Sequence, residues 1–93
     1  MRKAPANLDA IGKQVWIDFR GMCAVHLTHP AACLHEIEPR SRRSQDWQDY
    51  DNRIPLCHAE HTLVHHTGPA NNADRLREAR DRAAFLFGLT VDN

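Results

Sequence analysis

The sequence predicts a small α+β domain in which one helix precedes a β-hairpin and two helices follow it. Three observations lead there. Apolar residues recur at helical spacing near both ends of the chain, two short runs around Leu34–Ile37 and Asn52–Leu56 have strand length and proline boundaries, and Gly68-Pro69 separates two helical stretches. At 93 residues the chain is one domain, and a domain of this size buries only about 60–65% of its unfolded surface, so a bound metal would help stabilise it.

Taken in order, Asn7 or Asp9 caps a first helix whose apolar residues Leu8, Ile11, Val15, Trp16 and Phe19 form one stripe ending at Gly21. Met22 to Pro30 is short, His-rich and turn-like. Leu34 to Ile37 reads as a strand stopped by Pro39, Arg40 to Asp51 as a polar loop, and Asn52-Arg-Ile-Pro-Leu as a second strand with its proline at an edge. Cys57 to His66 follows as a helix with Leu63 and Val64 as its apolar anchors. Asn71 or Asn72 caps the last helix, which places Leu76, Ala79, Ala83, Leu86 and Phe87 on one face and stops at Gly88. Trp16, Phe19, Phe85 and Phe87 are expected in the core, and Trp47 and Tyr50 are expected to cap the hairpin, with contact to a base or sugar as the alternative.

The formal net charge is zero, which excludes a strongly basic protein that coats nucleic acid but leaves local patches open. Cys23, Cys33 and Cys57, with no apolar leader in Met1-Arg-Lys-Ala, argue against a disulfide framework and for a reducing cytoplasm, where thiols more often meet metal. No apolar run is long enough to span a membrane.

The chemistry concentrates in Cys33-Leu-His-Glu-Ile-Glu-Pro-Arg-Ser41 and Asn52-Arg-Ile-Pro-Leu-Cys-His-Ala-Glu-His-Thr-Leu-Val-His65. His35-Glu36 opens like the zinc-protease signature, which needs a second His four residues on; that position is Pro39, which cannot continue a helix. Downstream, His61 and His65 stand at helical spacing. The site therefore joins an extended segment to a later helix. This arrangement resembles the HNH nuclease family over Cys23 to His65: His35-Glu36 stand before Pro39-Arg40-Ser41 where the family carries Asp-His or His-His, Asn52 matches its Asn, and His61 its helix histidine.

The resemblance implies a ββα-metal core over about 22–67, flanked by an N-terminal helix over about 8–20 and a C-terminal helix over about 72–87. It implies cleavage of DNA with one divalent ion (Mg²⁺, Mn²⁺, Ni²⁺ or Zn²⁺), leaving 5′-phosphate and 3′-hydroxyl ends, in a bacterial or phage-infected cytoplasm. His35 and His61 would be ligands, with His65 completing the set or bonding the phosphate, and Asn52 would pin the loop between the strands. Glu36 stands where the family's base usually is. Two assignments stay open: Glu36 as base with His35 on the metal, or the reverse. At the family's Cys-x-x-Cys knuckles this chain has Cys23-x-x-His26 and Cys57-x-x-Glu60, a set for one structural zinc with Cys33 and His58 as alternatives to Glu60. His29 and His66 read as surface residues.

Arg40, Arg42, Arg43 and Arg53 are candidates for contact with DNA phosphates, against the commoner meaning of solvated charge. Arg75, Arg77, Arg80 and Arg82 alternate with Asp74, Glu78 and Asp81, which favours pairing within the last helix. Two rivals remain: a zinc-stabilised nucleic-acid-binding module with weak or no cleavage, and a small metal-binding structural protein. Oligomeric state is open, although cutting both strands with such a unit would take two copies or two events.

Overall fold

The computed structural model describes residues 3–38 and 49–89. Within them the chain is a small α+β fold with a two-stranded antiparallel sheet and three α-helices. Helix α1 spans Ala10–Asp18. Of the two expected caps, Asp9 takes the role: its backbone is extended and its carboxylate accepts the Gly12 N–H at 2.8 Å. The helix ends as Arg20 and Gly21 both turn to positive φ, and Gly21 N–H closes back on the Trp16 carbonyl. Val15, Trp16 and Phe19 are buried as expected, while Ile11 lies largely outward.

The segment after α1 is held along the hairpin: Ala24 N–H donates to the Pro55 carbonyl and Ala32 N–H to the Leu56 carbonyl. Strand β1 is Cys33–Glu36 and strand β2 is Arg53–Leu56. They pair antiparallel, with Leu34 opposite Pro55, His35 opposite Ile54 and Glu36 opposite Arg53. Because directly opposed residues share a face of the pleat, Cys33, His35, Ile54 and Leu56 lie on one side and Leu34, Glu36, Arg53 and Pro55 on the other. Asn52 falls in a 3₁₀ turn, Tyr50–Asn52, that leads into β2.

Helix α2 spans His58–Thr67 and α3 spans Pro69–Leu86. The break between them is Gly68 at φ 99°, followed by Pro69 in the first helical turn, so α3 starts before the expected Asn71 or Asn72 cap. Asn72 instead donates from its side chain to the Gly68 carbonyl and the Thr67 hydroxyl. Val15, Phe19, Ile37, Ile54, Leu56, Val64, Leu76 and Ala83 form the core.

Several expectations are corrected here. Leu63, Phe85 and Leu86 are exposed, Phe85 at 71%. Phe85 lies nine residues beyond Leu76, half a turn round a helix that advances roughly 100° per residue, so it faces away from the stripe Leu76–Ala83. Three arginines of α3 also reach off their own helix, although Arg75 in addition donates to the Asn72 side chain one turn back on α3. Arg75 meets Glu60, Arg77 meets Glu38 and the Asp51 carbonyl, and Arg80 donates to the Arg53 and Tyr50 carbonyls at 2.8 and 2.9 Å. The Arg80 guanidinium also lies over the rings of Phe19 and Tyr50, 5.1 Å from each centroid. Tyr50 donates its hydroxyl to Asp18 at 2.7 Å, which joins the 3₁₀ turn to α1. No helix among the described residues is long and apolar enough to cross a membrane.

Candidate metal centre

Three imidazoles meet where β1 faces α2. His35 comes from the strand, and His61 and His65 lie one turn apart on the helix. Their ring centroids are 6.4 Å (His35–His61), 6.3 Å (His35–His65) and 4.4 Å (His61–His65) apart, with the two helix Nε2 atoms at 2.8 Å. A tetrahedral ion holding imidazole nitrogens at about 2.1 Å sets ring centroids roughly 5 Å apart. The observed triangle brackets that value. Among the described residues no three His, Cys, Asp or Glu side chains stand in a ready coordinating arrangement; small side-chain rotations would be needed to close this one.

His35 is 9% exposed, and its Nε2 is buried without a hydrogen-bond partner among the described residues. A buried, unmatched imidazole nitrogen is costly unless something supplies its partner. Burial, helped by the neighbouring His61 and His65, pushes the His35 pKa down to about 4. Burial, with His65 and His58, lowers His61 as well. Both shifts favour the neutral ring, the form that ligates metal. His65 is exposed and His61 partly so, which leaves one side of the triangle open to water or a substrate.

Glu36 is elsewhere. Pleat alternation turns it to the opposite face from His35, and across the hairpin it meets Arg53. Arg53 is 7% exposed, and its two amino groups contact the two carboxylate oxygens of Asp9 at 2.5 and 2.8 Å. The Arg53 and Gly12 donors hold the Asp9 pKa down to about 2. Asp9, Glu36, Arg53 and His35 line a cleft of about 220 Å³ together with Asn7 and Leu8. Asn52 is fully buried and holds the chain after β1: its amide accepts from Glu38 N–H at 2.9 Å and donates to the Glu38 carbonyl at 3.0 Å.

The knuckle residues also converge. Cys23 and Cys57 are buried, Cys23 Sγ accepts the His26 N–H at 3.3 Å, and His26 Nε2 lies 3.2 Å from Glu60 Oε2. Glu60 is 3% exposed and its other oxygen is paired with Arg75. The donor set suits zinc in kind, two thiols, an imidazole and one carboxylate oxygen, although the thiols must first lose their protons and burial raises the Cys23 pKa. Cys33 is also held protonated, pushed up to about 11 by burial and the neighbouring Cys23 and Cys57, and His58 is exposed.

Arg40, Arg42 and Arg43 lie outside the described residues, as do Pro39, Ser41 and Trp47. The reading of residues along the chain missed Asp9 as the partner of Arg53 and Arg75 as the partner of Glu60; the first pair is separated by 44 positions, and no local pattern encodes such a contact. Comparison of the chain with protein-family models, curated proteins and solved structures finds no match in any of the three.

Proposed function

We propose that this chain is a metal-dependent HNH-type endonuclease that hydrolyses DNA, built on a ββα-metal core of β1, β2 and α2. The observation that carries the reading is the buried, unpartnered Nε2 of His35 beside the His61–His65 pair. A divalent ion held by His35, His61 and His65 would neutralise charge growing on the phosphate and its leaving oxygen. Neutral His35 and His61 are already in the ligating form. Glu36 takes a proton from water as the water oxygen bonds to phosphorus. The bond to the 3′-oxygen breaks, and that oxygen gains a proton to leave 3′-hydroxyl and 5′-phosphate ends. Asn52 holds the chain after β1 and so fixes where His35 and Glu36 stand. Cys23, His26, Cys57 and Glu60 would hold a structural zinc.

A specific observation favours a second reading. Glu36 lies on the other face of the pleat from the imidazoles and beside a paired arginine, and at about 4.3 its reference pKa makes it a weaker base than imidazole. A zinc-stabilised nucleic-acid-binding module with little cleavage fits that placement. Plasmid incubated with Mg²⁺, Mn²⁺, Ni²⁺ or Zn²⁺ against a chelated control separates the two. Nicking that requires the ion, lost in His61→Ala with the circular dichroism spectrum unchanged, is the expected result. DNA retention with no cleavage under any ion selects the binding module.

A further inference from the structure

The arginine opposite Glu36 is too well built to be a loose phosphate contact. Its guanidinium is buried, spans both oxygens of Asp9, and its backbone carbonyl is fixed by Arg80 Nε. Space for it is made by the absence of a side chain on α1. A Cβ on Gly12 would stand 2.9 Å from Arg53 Nη1, 3.1 Å from Asp9 Oδ1 and 3.3 Å from Leu34 Cδ1. Gly12 also supplies the backbone N–H that Asp9 caps, so one carboxylate joins the start of α1 to the strand pair. Glu36 faces this assembly directly across the hairpin and shares the same cleft.

We infer that Asp9, Gly12 and Arg53 form a clamp that positions Glu36, and that Arg53 is a positioning residue rather than a DNA contact. The inference rests on the nuclease reading for its kinetic consequence, though the clamp itself is a feature of the fold. Opposed strand residues carry Cβ atoms about 4.5–5.5 Å apart, so a cation fixed at Arg53 fixes where the Glu36 carboxylate settles. The hydrogen bonds that Arg53 donates to Asp9 raise the Arg53 pKa, with smaller electrostatic contributions from Asp9 and Glu36. With Nη1 and Nη2 on Asp9 and the side chain 8% exposed, Arg53 presents little surface to a phosphate. A free phosphate-binding arginine would be solvent-facing and would add to the salt dependence of binding.

Arg53→Met and Asp9→Asn should each lower kcat for plasmid nicking on the order of tenfold through lost orientation, with KM for DNA and its salt dependence unchanged. In a Glu36→Gln background the same substitutions should cause no further loss, because the group they position has gone. A raised KM with a shallower salt slope and intact kcat would make Arg53 a phosphate contact and overturn the clamp. Equal fractional losses with and without Glu36 would reduce it to general packing, with the same result. If the wild type cleaves no DNA under any ion, the nuclease reading falls, and the clamp is then judged by urea unfolding. There, Arg53→Met and Glu36→Gln should shift the midpoint non-additively, and additive shifts would overturn it.

Discussion

At the scale of single residues, His35 has the most telling surroundings. Its imidazole is buried with one nitrogen unmatched among the described residues, and its pKa is down to about 4 against about 6.5 in an unfolded chain. Between those values the unfolded chain binds the proton and the folded chain does not, so stability rises with pH across that window. In chelator, wild-type protein should therefore lose on the order of 3 kcal/mol from this group as pH falls from about 6.5 to about 4. His35→Asn should flatten that part of the profile, as measured by urea unfolding at a series of pH values. An equally steep slope in the variant would show that His35 is protonated when folded. Asn52 and Glu60 differ from His35 in having their partners within the fold, the Glu38 backbone for one and Arg75 with His26 for the other.

Among the elements, α3 contributes more than a cover for the core. Arg80 lies buried against the β2 and 3₁₀ backbone, donating to two carbonyls and stacking over two aromatic rings. Burial lowers its pKa, yet a guanidinium remains charged near neutrality. Arg80→Ala removes the donors to the Arg53 and Tyr50 carbonyls and the guanidinium that lies over the Phe19 and Tyr50 rings. The expected loss is about 2–4 kcal/mol, against little change for an alanine at exposed Arg82. Denaturant midpoints of the two variants make the comparison; equal, small shifts would place Arg80 among the solvated charges. Because Arg80 holds the carbonyl of Arg53, α3 also supports the strand that faces Glu36.

For the molecule as a whole, the interior is small, so a bound ion would contribute a large share of the stability. If Cys23, His26, Cys57 and Glu60 hold zinc, ion binding and folding are coupled. Protein purified without chelator should carry about one tightly held zinc by elemental analysis, and chelation should lower its melting temperature. A folded sample with no zinc, its melting unaffected by chelator, would leave these residues as packing and an ion-paired carboxylate. The two sites are separable, since His61→Ala should leave the zinc content as it is. Glu60 and His61 are neighbours on α2 but face different sites, which follows from the turn of about 100° between successive helical residues.

The order of elements was legible from local chemistry. Asp9 before an apolar stripe, short runs of strand length and Gly68-Pro69 between two helices act over a few residues, where capping, φ restriction and periodicity determine conformation. The grouping of His35 with His61 and His65 was readable in part, because a fixed helical rise puts two of them on one face. The amino-acid sequence alone thus determined the helices, the hairpin and the residue types of the candidate site. Tertiary structure decided the rest: Arg53 with Asp9, Arg75 with Glu60, and Arg80 on two backbone carbonyls. Those outcomes depend on which face of each element is covered and by what. Long side chains find their partners only after packing brings distant segments within a few ångströms, and that distance is absent from any local pattern.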